Sequence, residues 1–261
     1  MPCLRSHALS VILMRSAGEK AQALTNWPVR LPLDTQASWA EPPGLPGRAE
    51  RPRLRPPQQV PMRGVGSVQG RAGLIHALTH IEANAMDLAL DALWRFPGMP
   101  EAYYRDWLKV AQEEALHFEL LRQHLQALGY HYGDFDAHEG LWDMARRTQG
   151  DLLGRLAVVP RVLEARGLDA SPAVRHKLLS AGDRAGAQIV DLILRDEIGH
   201  VAIGNHWFGW LCKERGLDPL TQQRQLMQRY GAPQPKGPLN KAARRAAGFS
   251  EDELAELERT H

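Results

Sequence analysis

The amino-acid sequence predicts an all-α protein built round a four-helix bundle, with an extended Pro/Arg-rich N-terminal arm and extra short C-terminal helices. Three observations support this. No segment sustains the period-2 alternation of a half-buried strand. Four long segments repeat apolar residues at helical spacing, with Gly and Pro turn signals between them. Each of the four also carries one glutamate within its apolar stripe: Glu82, Glu114, Glu164 and Glu197.

Residues 1–67 form the expected arm. Glu41-Pro42-Pro43-Gly44-Leu45-Pro46-Gly47 and Arg51-Pro52-Arg53-Leu54-Arg55-Pro56-Pro57 are incompatible with helix interior, because proline lacks the N–H and clashes with the preceding turn. Residues 68–216 form the bundle, with helices expected over about 69–95, 101–128, 141–166 and 186–215. Pro97-Gly98 with Pro100, then Gly129 and Gly133, then Gly167 mark the turns. Ser171-Pro172 reads as an N-cap followed by proline in the first turn, opening a shorter helix over about 172–182. Residues 217–261 form a C-terminal extension packed on the bundle. It is irregular over Gly231–Asn240, and Ser250 with Glu253 has capping-box spacing for a last short helix.

Composition sets the class. The chain has 261 residues, 44% hydrophobic and 24% charged, ordinary for a globular protein with a sizeable core. A net charge of +2 assigns it no nucleic acid or membrane by bulk electrostatics. The basic residues Lys236, Lys241, Arg244 and Arg245, with Arg51, Arg53 and Arg55, read first as a solvated face and second as a surface for RNA phosphates. Two cysteines, Cys3 and Cys212, make neither a thiolate zinc motif nor a disulfide framework, which fits a reducing compartment. The apolar run Ala8–Met14 is too short for a membrane span, so a soluble, cytoplasmic protein is expected.

The four glutamates carry the chemistry. At about 100° per residue, Glu82 shares a sector with Ile75, Leu78, Met86, Ala89 and Leu93. Glu114 lies with Trp107, Val110, Phe118, Leu121 and Leu125; Glu164 with Leu153, Ala157 and Pro160; Glu197 with Val190, Ile193, Val201 and Phe208. Ionised carboxylates on buried faces need protons, cationic partners or metal. Arg161 is one candidate partner, for Glu164, but cannot neutralise all four.

Histidines follow two of the acids by three residues, in Glu114-Ala-Leu-His117 and Glu197-Ile-Gly-His200, which places each pair on one helical face. The order Glu, Glu-x-x-His, Glu, Glu-x-x-His makes two hairpins, with 32 residues from Glu82 to Glu114 and 33 from Glu164 to Glu197. One Glu from each of two helices and Glu-x-x-His from each of the other two is the ligand set of carboxylate-bridged dimetal bundles. Glu82, Glu114, His117, Glu164, Glu197 and His200 are therefore the candidate ligands. Oxygen-rich donors with two imidazoles suit two iron ions, or manganese–iron or two manganese. Asp196 and Glu113, each one residue before a ligand, are expected to accept the free N–H of the other hairpin's histidine, Asp196 from His117 and Glu113 from His200. His76 and His80 lie off the metal face and are expected to make interhelical hydrogen bonds. Tyr103 and the tryptophans are expected in the core, and Pro160 to kink the third helix.

These residues resemble the ferritin-like superfamily. More narrowly, the chain resembles a bacterial ferritin-like family that carries a domain of unknown function and is distantly related to a di-iron tRNA hydroxylase acting on isopentenyl-type adenosines. The matching stretches are His76–Glu82, Trp107–His117, Tyr132–Phe135, Val159–Asp169 and Asp196–Asn205, within a resemblance that covers about residues 45–250. It implies the ferritin-like fold and the same six ligands. With the residues, it leads to an expected di-iron oxidoreductase that activates dioxygen and hydroxylates or oxidises an organic substrate, with a modified tRNA base as one candidate. An oxygenase of this kind requires an electron-donor protein. The arm and C-terminal helices point to a monomer or small oligomer rather than a storage shell. Two alternatives stand beside this: a metal-handling protein (ferroxidase or store), and a non-catalytic interaction protein with a structural metal.

Overall fold

The computed structural model describes residues 3–61, 64–235 and 237–259. Among these the secondary structure is helical, with no strand and one isolated bridge between Leu54 and Ala137. The chain divides into two compact units, Met1–Trp142 and Asp143–His261.

The first unit is built on a hairpin of α3 (Val68–Arg95) and α4 (Glu101–Ala127). Ser67 caps α3 by accepting the Gly70 N–H at 3.1 Å. Gly98 turns the chain at φ 84°, a left-handed conformation that glycine adopts without a Cβ penalty. Both helices match their expected spans within one or two residues.

The arm expected over 1–67 is helical where it begins. Helix α1 (Leu4–Ile12) opens on a capping box between Cys3 and Ser6 and packs on α3. Helix α2 (Ala17–Thr25) is capped by Ser16 and packs mainly on α4. From the apolar run Ala8–Met14, the residues Ala8, Val11 and Ile12 lie fully buried on α1. Beyond Thr25 the segment is irregular apart from a short turn at Pro57–Gln59, as its prolines require.

Buried cations fasten this segment. The Arg5 guanidinium donates to the carbonyls of Asp34 (3.1 Å), Ala37 (2.6 Å) and Trp94 (2.7 Å), the last being one of the open carbonyls at the end of α3. Lys20 pairs with Asp87 at 2.6 Å, both almost wholly buried, and Arg48 Nη1 lies 3.2 Å from the same carboxylate.

The second unit departs more from expectation. The third helix does not run unbroken over 141–166. Helix α5 (Gly140–Arg147), within which the division falls, ends before a turn; Asp151 then caps α6 (Leu152–Val158) by accepting the Gly154 N–H at 3.0 Å. A π turn (Val159–Glu164) leads directly into α7 (Ala165–Ser180). So Pro160 gives a π turn where a kink was expected, and Gly167 lies inside a helix.

Helix α7 also runs through Pro172, so Ser171 is no N-cap: its hydroxyl donates to Gly167 O at 2.7 Å. Proline leaves the carbonyl four residues back without its helical donor, and here Leu168 O accepts instead from Asn240 Nδ2 at 3.1 Å. Helix α8 (Arg184–Glu214) forms as expected and packs against α6, the π turn and α7.

The C-terminal extension adds α9 (Pro219–Tyr230), α10 (Lys241–Ala246) and α11 (Glu251–Arg259). Its apolar side chains Ala243, Ala247, Phe249 and Leu254 bury against Ala165, Leu168 and Val201. The Ser250/Glu253 capping box forms, at 2.8 and 3.2 Å.

Candidate metal centre

In the first unit, the face shared by α3 and α4 brings three of the expected ligands together. Glu82, Glu114 and His117 are buried, and one ligand atom from each lies within 4.8 Å of the other two. His117 Nδ1 is 3.3 Å from Glu114 Oε2 and 3.6 Å from Glu82 Oε2. The Glu-x-x-His spacing stacks Glu114 and His117 on adjacent turns of α4, and Glu82 meets them from α3.

The electrostatics are those of a cation-seeking site. Burial and then the neighbouring Glu114 charge push the Glu82 carboxyl well above its usual range. Burial disfavours the His117 cation, yet bonds to Glu114 and Glu82 outweigh it and push the imidazole up to about 11. Glu82 Oε2 is buried with no hydrogen bond among the described residues. Two carboxylates and one imidazole, with a carboxylate oxygen that makes no hydrogen bond, form a group that could hold a metal ion.

In the second unit, Glu197 and His200 are buried one turn apart on α8, with His200 Nδ1 3.8 Å from Glu197 Oε2. Glu164 closes the π turn and is half-buried, less enclosed than the other three acids. Arg161 does not serve as its cation: the guanidinium is taken by Gln223, Asn205 and Glu253. Asp196 is engaged by Arg195 Nε at 2.8 Å, and Glu113 lies 3.7 Å from Lys109 Nζ.

His76 and His80 make hydrogen bonds to the loop that follows α4, where bonds to another helix were expected. His76 Nε2 accepts from Gly133 N at 3.0 Å. His80 Nδ1 meets the Tyr132 hydroxyl at 2.8 Å, and Nε2 meets the His138 carbonyl at 3.0 Å. Burial depresses both imidazoles to about 4, so they are neutral. Gly133 has φ 109°, and a Cβ there would crowd Arg51 at 3.1 Å. Tyr103 is a buried core residue whose hydroxyl donates to Ala92 O at 3.1 Å. Trp94, Trp107, Trp142 and Trp207 are buried, and Trp210 is half-buried.

The basic patch is largely consumed. Arg244 is buried on Asp169, Lys241 pairs with Glu258 and Arg245 with Glu251, while Lys236 lies outside the described residues. Sequence reasoning missed the Lys20–Asp87–Arg48 cluster. Asp87 follows Glu82 on a helix that is buried on every side from Glu82 to Trp94, so a second buried acid there was the available signal.

A protein-family profile described as "Protein of unknown function (DUF455)" matches residues 12–255. The chain belongs to the DUF455 family. The matched span includes all six candidate ligands. A relative, an "Uncharacterized protein" of Haemophilus influenzae, is 46% identical over 238 residues, which is 88% of this chain and 80% of the relative. No solved structure matches the chain at a significant level.

Proposed function

We propose that this DUF455 protein is a dimetal-carboxylate oxidoreductase with a ferritin-like four-helix bundle, in which each hairpin supplies two carboxylates and one imidazole. The observation that carries the proposal is the buried Glu82–Glu114–His117 trio, in which both acids face one imidazole. The repeat of Glu-x-x-His at Glu197 and His200 and the matching sequence intervals extend it to two metals. Four carboxylates balance two divalent ions, and the donor set favours iron, with manganese next.

When bound, the iron pair supplies the redox chemistry that couples dioxygen reduction to oxidation of an organic C–H bond. The chain supplies the rest. Glu82 and Glu114 provide the negative charge that holds the cation, and His117 gives up its proton to ligate. Burial of the trio keeps bulk water from the site and strengthens each electrostatic contact. Asp196 and Glu113 are assigned the role of fixing the histidine tautomers. A modified tRNA base is one candidate substrate, and an electron-donor protein is required for reductive turnover.

Metal analysis of the natively expressed protein tests this first. Two equivalents of iron or manganese are expected, and Glu114→Ala should lose at least one while His76→Gln retains both. Anaerobic loading with ferrous iron followed by air should then consume dioxygen. Uptake with no organic product, in a large closed assembly, would favour metal storage; metal without uptake would favour a structural role; absence of metal would end the proposal.

A further inference from the structure

Glu164 stands at the end of a π turn that three later helices of its own unit grip. Within the turn the Ala165 N–H reaches back five residues to Pro160 O. Such turns are rare beside the α-helical alternative and persist where outside contacts hold them.

Gln223 of α9 holds the end of α6 and the turn that follows it. Its Nε2 donates to Ala157 O at 3.0 Å, and its Oε1 accepts from Arg161 Nε at 2.9 Å. Asn205 of α8 accepts from Arg161 Nη1 at 2.8 Å, and Glu253 of α11 pairs with Nη2. Every nitrogen of the guanidinium is therefore used, each by a different helix. Phe208 and Phe249 lie against it at 4.4 and 5.3 Å.

The partners are themselves fixed. Asn205 Nδ2 donates to Ala247 O at 2.6 Å, and Glu253 accepts the Ser250 N–H in the α11 capping box. On the α8 side, Gly204 faces Pro160 so closely that a Cβ would overlap the ring. Tying α9 and α11 down needs only apolar side chains; burying a cation to do so is costly unless every donor is matched. The matched donors converge one turn before Glu164.

We infer that Arg161, Gln223 and Glu253 are positioning residues that aim Glu164, so that α9 and α11 act on the metal centre through the π turn. The inference rests on the reading of Glu164 as a metal ligand.

Anaerobic titration of the full metal-free chain with cobalt(II), followed by visible absorption, tests it. Wild type should take two equivalents and Glu164→Ala should lose one. Glu253→Gln and Gln223→Ala should weaken that same equivalent about 10–100-fold and alter its absorption bands, leaving the other unchanged. Adding Glu253→Gln to Glu164→Ala should cause no further loss. Wild-type titrations for Glu253→Gln and Gln223→Ala would overturn the inference, as would an equal effect of Glu253→Gln with Glu164 already removed. Should Gln223→Ala fail to fold, the isosteric Glu253→Gln decides alone. A Glu164→Ala protein that binds both ions like wild type would instead overturn the ligand assignment, and the inference with it.

Discussion

The neutral histidines of the first unit make its stability fall in acid. Free imidazole titrates near 6.5, whereas burial holds His76 and His80 at about 4. For a folded-state value below the unfolded one, the contribution is present above 6.5 and is lost as pH falls toward 4. Between pH 7.5 and 5 the loss is about 2 kcal/mol per histidine, from about 1.4 kcal/mol for each pH unit of displacement. Asp134 opposes the effect at His76 and the His138 carbonyl opposes it at His80, both less than burial. The local reporter is the Gly133 amide, because protonated His76 cannot accept its hydrogen bond. Hydrogen exchange, corrected for the intrinsic pH dependence, should show Gly133 protection falling about 30-fold from pH 7.5 to 5. His76→Gln supplies a carbonyl acceptor that does not titrate, so its Gly133 protection should stay level over that range. A parallel fall in wild type and His76→Gln would refute the assignment of this titration to His76.

Further perturbations address the acids, the π turn and the buried cations. In the metal-free protein, the raised Glu82 carboxyl makes stability fall as pH rises through its folded-state value. Glu82→Gln should therefore raise the melting temperature of the metal-free form at pH 8 while abolishing a metal equivalent; calorimetry with and without chelator would show a wild-type advantage instead if the acid were structural. Gly204→Ala should destabilise the second unit by about 1–3 kcal/mol through overlap with Pro160, measured by urea unfolding, and an unchanged midpoint would show the π turn to be yielding. Lys20→Met should cost about 3 kcal/mol, the lower end for breaking a buried pair because Arg48 remains beside Asp87; Lys20→Met with Asp87→Leu should recover much of it.

What the sequence made legible follows from how local each signal was. α3, α4 and α8 are long, are bounded by caps, prolines or turn glycines, and match expectation within a residue or two. α1 and α2 were hidden because nine-residue helices show little periodicity, although Ser16 with Glu19 already had the spacing of a cap for α2. The α6–π–α7 segment misled for a different reason. Pro160 and Pro172 are breakers by local rules, but distant side chains support the backbone beside them: Asn240 takes Leu168 O, the carbonyl that Pro172 frees, and Gln223 takes Ala157 O just before the π turn. Asp218-Pro219 was a missed helix start of the same kind as Ser171-Pro172, and there the cap is real, with Thr221 N donating to Asp218 at 2.8 Å. The burial of Glu82, Glu114 and Glu197 was legible because acid on an apolar stripe is anomalous without any partner in view; the clamp on Arg161 was not, because its partners lie 44 to 92 residues away.

The treatment of buried charge elsewhere in the first unit bears on the functional reading. Asp87 is met by Lys20 and Arg48, Asp91 by Arg95 at 2.7 Å, and the Arg5 cation by a set of carbonyls. This chain thus neutralises structural charges with dedicated partners, even at the expense of burying a lysine. Glu82 is handled differently. Its ion-pair partner among the described residues is His117, a group that is neutral at ordinary pH unless acids force a proton onto it. A lysine or arginine at that point would satisfy the fold better and would also exclude a metal ion. The use of an imidazole at Glu82, on a helix that meets Asp87 and Asp91 with dedicated cations further on, is the observation on which the proposal that Glu82 holds a metal rests.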